Sequence, residues 1–188
     1  MDAILARREE IYDHFQRSAG PKFFFVTADK DRYAAYYTSM YLIADTAESI
    51  KEHRRRDFSS DPFLSYLEFW GVMQAVVIQQ DAIVELNRAI AEISLAVAKP
   101  SAWWNLREFR NQCAGHPANR SRGVPASQRS FMGRTTRKYS RVQYELWDAQ
   151  TQQTTHPIVD LAQMLDDYDL QASQLMATIL QIMKAQWP

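Results

Sequence analysis

The chain has 188 residues, 46% of them hydrophobic and 12% aromatic, which is enough to bury a core of its own. Lysine plus arginine and aspartate plus glutamate each number 22, so the formal net charge is zero and no global charge argues for a nucleic-acid or membrane partner. The single Cys113 cannot close an internal disulfide, the N-terminal residues lack a signal-peptide apolar run, and Gln74 interrupts the longest apolar run, Trp70 to Ile78; these features point to a soluble, cytoplasmic protein.

Periodicity is helical along most of the chain. An amphipathic helix is expected from about Ala3 to Arg17, stopped by Ser18, Ala19, Gly20 and Pro21. The apolar run Phe23 to Val26 leads to Thr27 and Asp29, either of which can cap a second helix reaching about Arg55. Its residues Tyr33, Tyr37, Met40, Ala44, Ala47 and Ile50 fall at seam spacing, and the tyrosines, including Tyr36 and Tyr41, read as core packing. Ser59 to Pro62 ends that helix and opens a third, expected to reach about Ala98. Between Leu64 and Leu86 its apolar residues occupy most of the circumference, so one face is expected to meet the bundle and another a partner subunit. A fourth helix runs from Ser101 to Gly115. Ser127 to Met132 and Arg141 to Trp147 read as two strands of a hairpin, the second alternating Val142, Tyr144 and Leu146 against Gln143, Glu145 and Trp147. Thr155, His156 and Pro157 are expected to start the last helix, with Leu161, Leu165, Tyr168, Met176, Ile179 and Met183 on one stripe. The expected architecture is a single all-α domain over residues 1–188, a bundle of four to five helices with a small β-hairpin inserted before the last helix, and a basic loop and hairpin at about 118–148.

One residue breaks the pattern of the fourth helix. Trp103, Leu106, Phe109, Cys113 and Ala114 mark its apolar arc, and Arg110 falls near the middle of that arc. A guanidinium there needs a partner, since burying it alone costs several kcal/mol or more. It can pair internally, with Asp81 or Glu85 of the third helix, or face a cleft or a second copy of the chain. The same helix ends in Gly115, His116 and Pro117. This is an ordinary helix stop, with glycine in the left-handed position, a cation near the negative end of the dipole and proline barring continuation. It also places an imidazole, which exchanges protons near neutral pH, close to a guanidinium, provided that Gly115 breaks the helix and lets His116 swing back.

The stretch Leu106 to Pro117 resembles the signature of the HEPN superfamily, an Arg followed by a polar residue, four to six residues and a His, matched here by Arg110, Asn111 and His116. The resemblance implies an α-helical domain that dimerises so that two copies of Arg and His line one cleft. It further implies a metal-independent endoribonuclease acting on single-stranded RNA in toxin–antitoxin or phage-defence systems, or a non-catalytic module that binds a protein partner, an antitoxin or a nucleotide. On that reading His116 is the general acid or base, Arg110 holds the phosphate and Asn111 orients them.

A second signal follows the motif. No Asp or Glu occurs between Glu108 and Glu145, and Arg120, Arg122, Arg129, Arg134, Arg137, Lys138 and Arg141 lie in that interval. Arg120, Arg122, Arg134, Arg137 and Lys138 are the candidates for holding an RNA backbone; the alternative is a solvated loop that balances the acidic helix containing Asp160, Asp166, Asp167 and Asp169. Other chemistries lack their residues. His14, His53, His116 and His156 are not at metal-ligand spacing, and there is no HExxH, Walker-type loop or GxGxxG, so no metal and no cofactor are expected. Cys113, on the apolar arc, reads as a buried filler rather than a nucleophile.

Overall fold

The computed structural model describes residues 1–27, 29–119, 127–133 and 137–188. Helix α1 (Asp2–Arg17) is followed by the short turn α2 (Gly20–Lys22) and a π-helical segment, Phe23–Thr27. The apolar run that precedes the second long helix is thus itself helical, because Phe24 is buried against Phe15, Tyr36 and Trp187 and the backbone coils to deliver it. Of the two candidate caps, Asp29 opens α3 (Lys30–Arg56), its carboxylate accepting from Asp31 N–H at 2.9 Å. Asp61 caps α4 (Pro62–Ala91) in the same way, accepting from the backbone N–H groups of Phe63 and Leu64 at 2.9 and 2.8 Å, with Pro62 in the first turn.

Helix α4 stops at Ala91 rather than near Ala98. Glu92 turns left-handed, with φ 58°, and Asn87 Nδ2 donates to Ile93 O at 2.7 Å, so a side chain satisfies backbone that the helix no longer does. After an irregular passage, Ser101 opens α5 (Ala102–Arg110), which runs directly into a π-turn over Asn111–Gly115.

The expected hairpin is a more branched device. β1 (Gln128–Phe131) pairs antiparallel with β3 (Glu145–Asp148), and β3 pairs antiparallel with β4 (Gln153–Thr155). β2 (Val142–Gln143) belongs instead to a second, two-stranded sheet with β5 (Ile158–Val159). The single strand expected over 141–147 is therefore split at Tyr144, whose N–H reaches Pro157 O at 3.2 Å. Thr155, His156 and Pro157 do not start the last helix, because that backbone is taken up by strand pairing. Helix α6 (Leu161–Gln186) starts after Asp160, which caps it through Gln163 N–H at 2.9 Å.

The molecule is mostly helical, with these small antiparallel sheets. α3 lies along α4, α6 packs on α1, α4 and α5, and α1 rests on α3. Ile4, Ile43, Met73, Leu86, Leu106 and Tyr168 are fully buried within one apolar cluster that all the long helices share. Two groups depart from the sequence reading. Asp169, read only as one carboxylate of an acidic helix, is 8% exposed and accepts from Ala3 and Ile4 N–H at 3.1 and 3.0 Å, satisfying the first turn of α1 from across the bundle. The tyrosines of α3 are not uniformly core: Tyr36 is buried, whereas Tyr37 and Tyr41 are each 49% exposed.

No helix among the described residues is long and apolar enough to cross a membrane.

Candidate functional site

The end of α5 is held from two sides. Phe109 meets Phe69 of α4 edge-on at 6.0 Å and Tyr144 at 5.8 Å, fixing the last turn against both the bundle and the sheets. The helix then widens: His116 N–H donates to Asn111 O at 2.8 Å, a five-residue span that closes the π-turn. The helix thus ends by π-winding rather than at a left-handed glycine, since Gly115 does not adopt a left-handed φ. Strand β1 buttresses the turn, with Ser130 N–H donating to Pro117 O at 2.9 Å and the Ser130 hydroxyl donating to Gln112 O.

Gly115 matters for the space it leaves. A Cβ built there would lie 2.6 Å from Arg110 Nη1 and 3.2 Å from its Cζ, so the guanidinium rests on the bare glycine backbone. From that seat Nη1 donates to Asn111 Oδ1 at 3.1 Å and Nη2 donates to Gln74 Oε1 of α4 at 2.9 Å. Both partners are neutral. The carboxylates proposed for it are engaged elsewhere: Asp81 pairs with Arg107 at 3.0 Å and Glu85 with Arg88 at 2.5 Å. Among the described residues no carboxylate lies within ion-pair distance of Arg110, so its charge is positioned yet not neutralised by a protein anion.

Arg110 and Asn111 are therefore brought together, and His116 follows directly on the glycine that carries the guanidinium. His116 is half-buried and borders a shallow crevice with Gln112, Pro117, Gln128, Arg129, Ser130 and Leu146, too tight to admit a water-sized group. Arg110 does not line that crevice. Within one protomer, then, the two groups are neighbours along the chain without sharing one hollow.

The basic segment divides. Arg120, Arg122 and Arg134 lie outside the described residues. Arg137 is 2% exposed, donating to Ser65 Oγ at 3.2 Å and Gly133 O at 2.6 Å beneath the Tyr66 ring, and burial pushes its pKa down. It is a packing cation, withdrawn from any RNA surface. Lys138, Arg129 and Arg141 are exposed, and Arg129 sits over Trp147 at the mouth of the His116 crevice.

Gln74 is the residue that sequence reasoning did not assign. Its signal was its interruption of the Trp70 to Ile78 apolar run, read only as evidence against a membrane span. It also ends an exposed stripe on α4: Phe63, Leu67 and Trp70 are 61%, 62% and 42% exposed and, with Gln74, share one helix face. Cys113 is buried and its thiol is pushed up to about 12 by desolvation, which leaves it without nucleophilic character near neutrality. Among the described residues no three His, Cys, Asp or Glu side chains converge on a metal-sized space. No family model, curated protein or solved structure matches the chain.

Proposed function

We propose that the chain is a metal-independent endoribonuclease of the HEPN type that cleaves single-stranded RNA in a cleft completed by a second copy of itself, in the toxin–antitoxin or phage-defence setting that the motif resemblance implies. The observation that carries this reading is the Arg110 guanidinium, seated on Gly115, the residue before His116, and held among the described residues by the neutral oxygens of Gln74 and Asn111. Such a cation is aimed without being neutralised. An incoming phosphate exchanges one or both amide oxygens for its own non-bridging oxygens, giving a charge-assisted, two-pronged contact.

The chemistry follows from the residue types. One imidazole removes the proton of the ribose 2′-hydroxyl, whose oxygen forms the new bond to phosphorus. The bond from phosphorus to the 5′-oxygen breaks as a second imidazole protonates the leaving oxygen, yielding a 2′,3′-cyclic phosphate and a 5′-hydroxyl. Arg110 stabilises the charge that accumulates on the phosphorane oxygens, and Asn111 fixes its direction. One His116 per protomer means that two copies supply the two imidazoles. The apolar stripe of Phe63, Leu67 and Trp70, which ends at Gln74, favours dimerisation on the face that carries Arg110.

The test is expression of the wild type, Arg110→Ala and His116→Ala in bacteria, with growth and total RNA integrity as readouts. The nuclease reading requires growth arrest and RNA fragmentation by the wild type, and loss of both in each variant at equal soluble yield. A wild type that is harmless and leaves RNA intact at high expression overturns it and leaves a non-catalytic module for an antitoxin or other protein partner.

A further inference from the structure

A second concave surface lies between α1 and α3, and its walls are tyrosines. The space is about 440 Å³, within the range of small-molecule sites, and is lined by Arg8, Tyr12 and Gln16 from α1 and by Tyr33, Tyr37 and Tyr41 from α3, with Tyr36 and Met40 below. The spacing explains the gathering: residues 33, 37 and 41 recur every fourth position and so stack along one face of α3, opposite Tyr12. Tyr12, Tyr37 and Tyr41 are 39%, 49% and 49% exposed, so much of their ring surface meets solvent. Neighbouring rings lie 6.1 Å apart for Tyr33 and Tyr37 and 4.7 Å apart for Tyr37 and Tyr41. Rings grouped in this way offer a sequence of π-faces rather than a packed core.

Polar groups bear on what fits there. Tyr36 is 3% exposed, its ring is stacked on Phe15 at 4.2 Å, and its buried hydroxyl has no hydrogen-bond partner. With essentially no accessible surface, that hydroxyl is sealed beneath the rings, out of an occupant's reach. Arg8 places a guanidinium at the edge, anchored by Nε donating to Met40 O at 3.3 Å and lying 5.2 Å from the Tyr12 ring, with Nη1 paired to Glu9 outside the lining set. Arg8 is the one charged residue of that lining, and an anion at the edge would share its guanidinium with Glu9. Rings for stacking, hydroxyls and an amide for edge hydrogen bonds, and one cation match a nucleotide: a planar, polar-edged base joined to a phosphate.

The geometry points to a nucleotide-binding site in the tyrosine-walled cleft between α1 and α3, with the base stacked among Tyr12, Tyr37 and Tyr41 and the phosphate at Arg8. The nucleotide is either free or one unit of an RNA strand. This site is separate from the Arg110 region, and neither requires the other.

The test titrates the full chain with AMP, GMP, CMP and UMP, with adenosine and ribose 5-phosphate as partial ligands, and with a short single-stranded RNA, by calorimetry and saturation-transfer NMR. At least one monophosphate or the RNA is expected to bind, and the one that wins identifies the source. Adenosine is expected about tenfold weaker than AMP through loss of the Arg8 contact, and ribose 5-phosphate weaker still through loss of stacking. Tyr37→Ala together with Tyr41→Ala, both exposed positions, is expected to weaken binding at least tenfold with the fold intact. Tyr36→Phe removes only the sealed orphan hydroxyl, so thermal stability is expected to hold or rise with affinity unchanged. Arg110→Ala is expected to leave affinity unchanged. The proposal is overturned if no nucleotide or RNA saturates the protein, if ribose 5-phosphate binds as well as AMP, or if the double variant binds like wild type.

Discussion

Replacing Gly115 by Ala separates the position of the Arg110 guanidinium from the integrity of the fold. The added methyl would stand 2.6 Å from Nη1, and ordinary van der Waals contact begins near 3.4 Å, so the guanidinium must move by about 0.8 Å or more. Because the obstructing atoms are the far end of a flexible side chain, the backbone need not shift. Displacement weakens or breaks the bonds to Asn111 and Gln74, each worth about 0.5–1.5 kcal/mol net, while Gly to Ala in a helical turn returns about 0.5–1 kcal/mol. The balance is a destabilisation of about 0–2 kcal/mol, a change in Tm of a few degrees for a chain of this size. Against that small cost, ribonuclease activity is expected to fall by about two orders of magnitude, the scale for losing a preorganised donor to the transition state. Melting by differential scanning fluorimetry beside cleavage of a labelled RNA measures both quantities on one preparation. Full activity in a folded Gly115→Ala protein would refute the role given to the seat of Arg110, and global unfolding would refute the view that only a side chain stands in the way.

Three further outcomes are expected. Leu67→Glu places a charge in the exposed α4 stripe, so light scattering should register a shift from dimer to monomer with stability changed by no more than about 0.5 kcal/mol; an unaltered dimer would locate the interface elsewhere. Asp169→Ala leaves two N–H groups at the start of α1 without their acceptor and should cost about 2–4 kcal/mol in urea unfolding, whereas a surface carboxylate would cost almost nothing. His53 is bonded through Nδ1 to the Tyr139 hydroxyl at 2.7 Å, with Glu68 at 3.6 Å from Nε2 and Arg56 and Asp57 beside it. Burial first, and then Arg56, lower its pKa from 6.5, with Glu68 and Asp57 opposing. The unfolded chain therefore binds this proton more readily than the native one, so stability is full above the unfolded value and falls as pH drops through it toward the lower native value. Thermal melts from about pH 7.5 to about pH 5 should show this decline, and His53→Gln should flatten it; a parallel decline in the variant would assign the effect to other groups.

What the sequence revealed and what it hid divide along physical lines. Asp29, Asp61 and Pro62 marked helix starts legibly because capping is a local interaction among residues two or three apart. The early end of α4, the split at Tyr144 and the extended backbone at Thr155 to Pro157 depend on partners distant in sequence, as does Asp169, whose acceptor role lies across the bundle. The tyrosines of α3 carried the correct helical spacing, but spacing cannot distinguish a seam that a neighbouring helix covers from one that it leaves open. At the motif, the end of α5 near Gly115 was readable, but its π-winding was not. Nor was the partner of the guanidinium. An arginine on an apolar arc announces that it needs one, and only the packing of α5 on α4 selects Gln74 over Asp81 or Glu85.

The most direct measurement is the end chemistry of RNA exposed to purified protein in the presence of EDTA. If Arg110 and His116 act as described, a single-stranded substrate is cut to 2′,3′-cyclic phosphate and 5′-hydroxyl ends. A 2′-deoxy substitution at the cleaved position then abolishes the cut, and so does either Arg110→Ala or His116→Ala in folded protein. Uncut RNA, or cleavage that persists in both variants, would contradict the assignment.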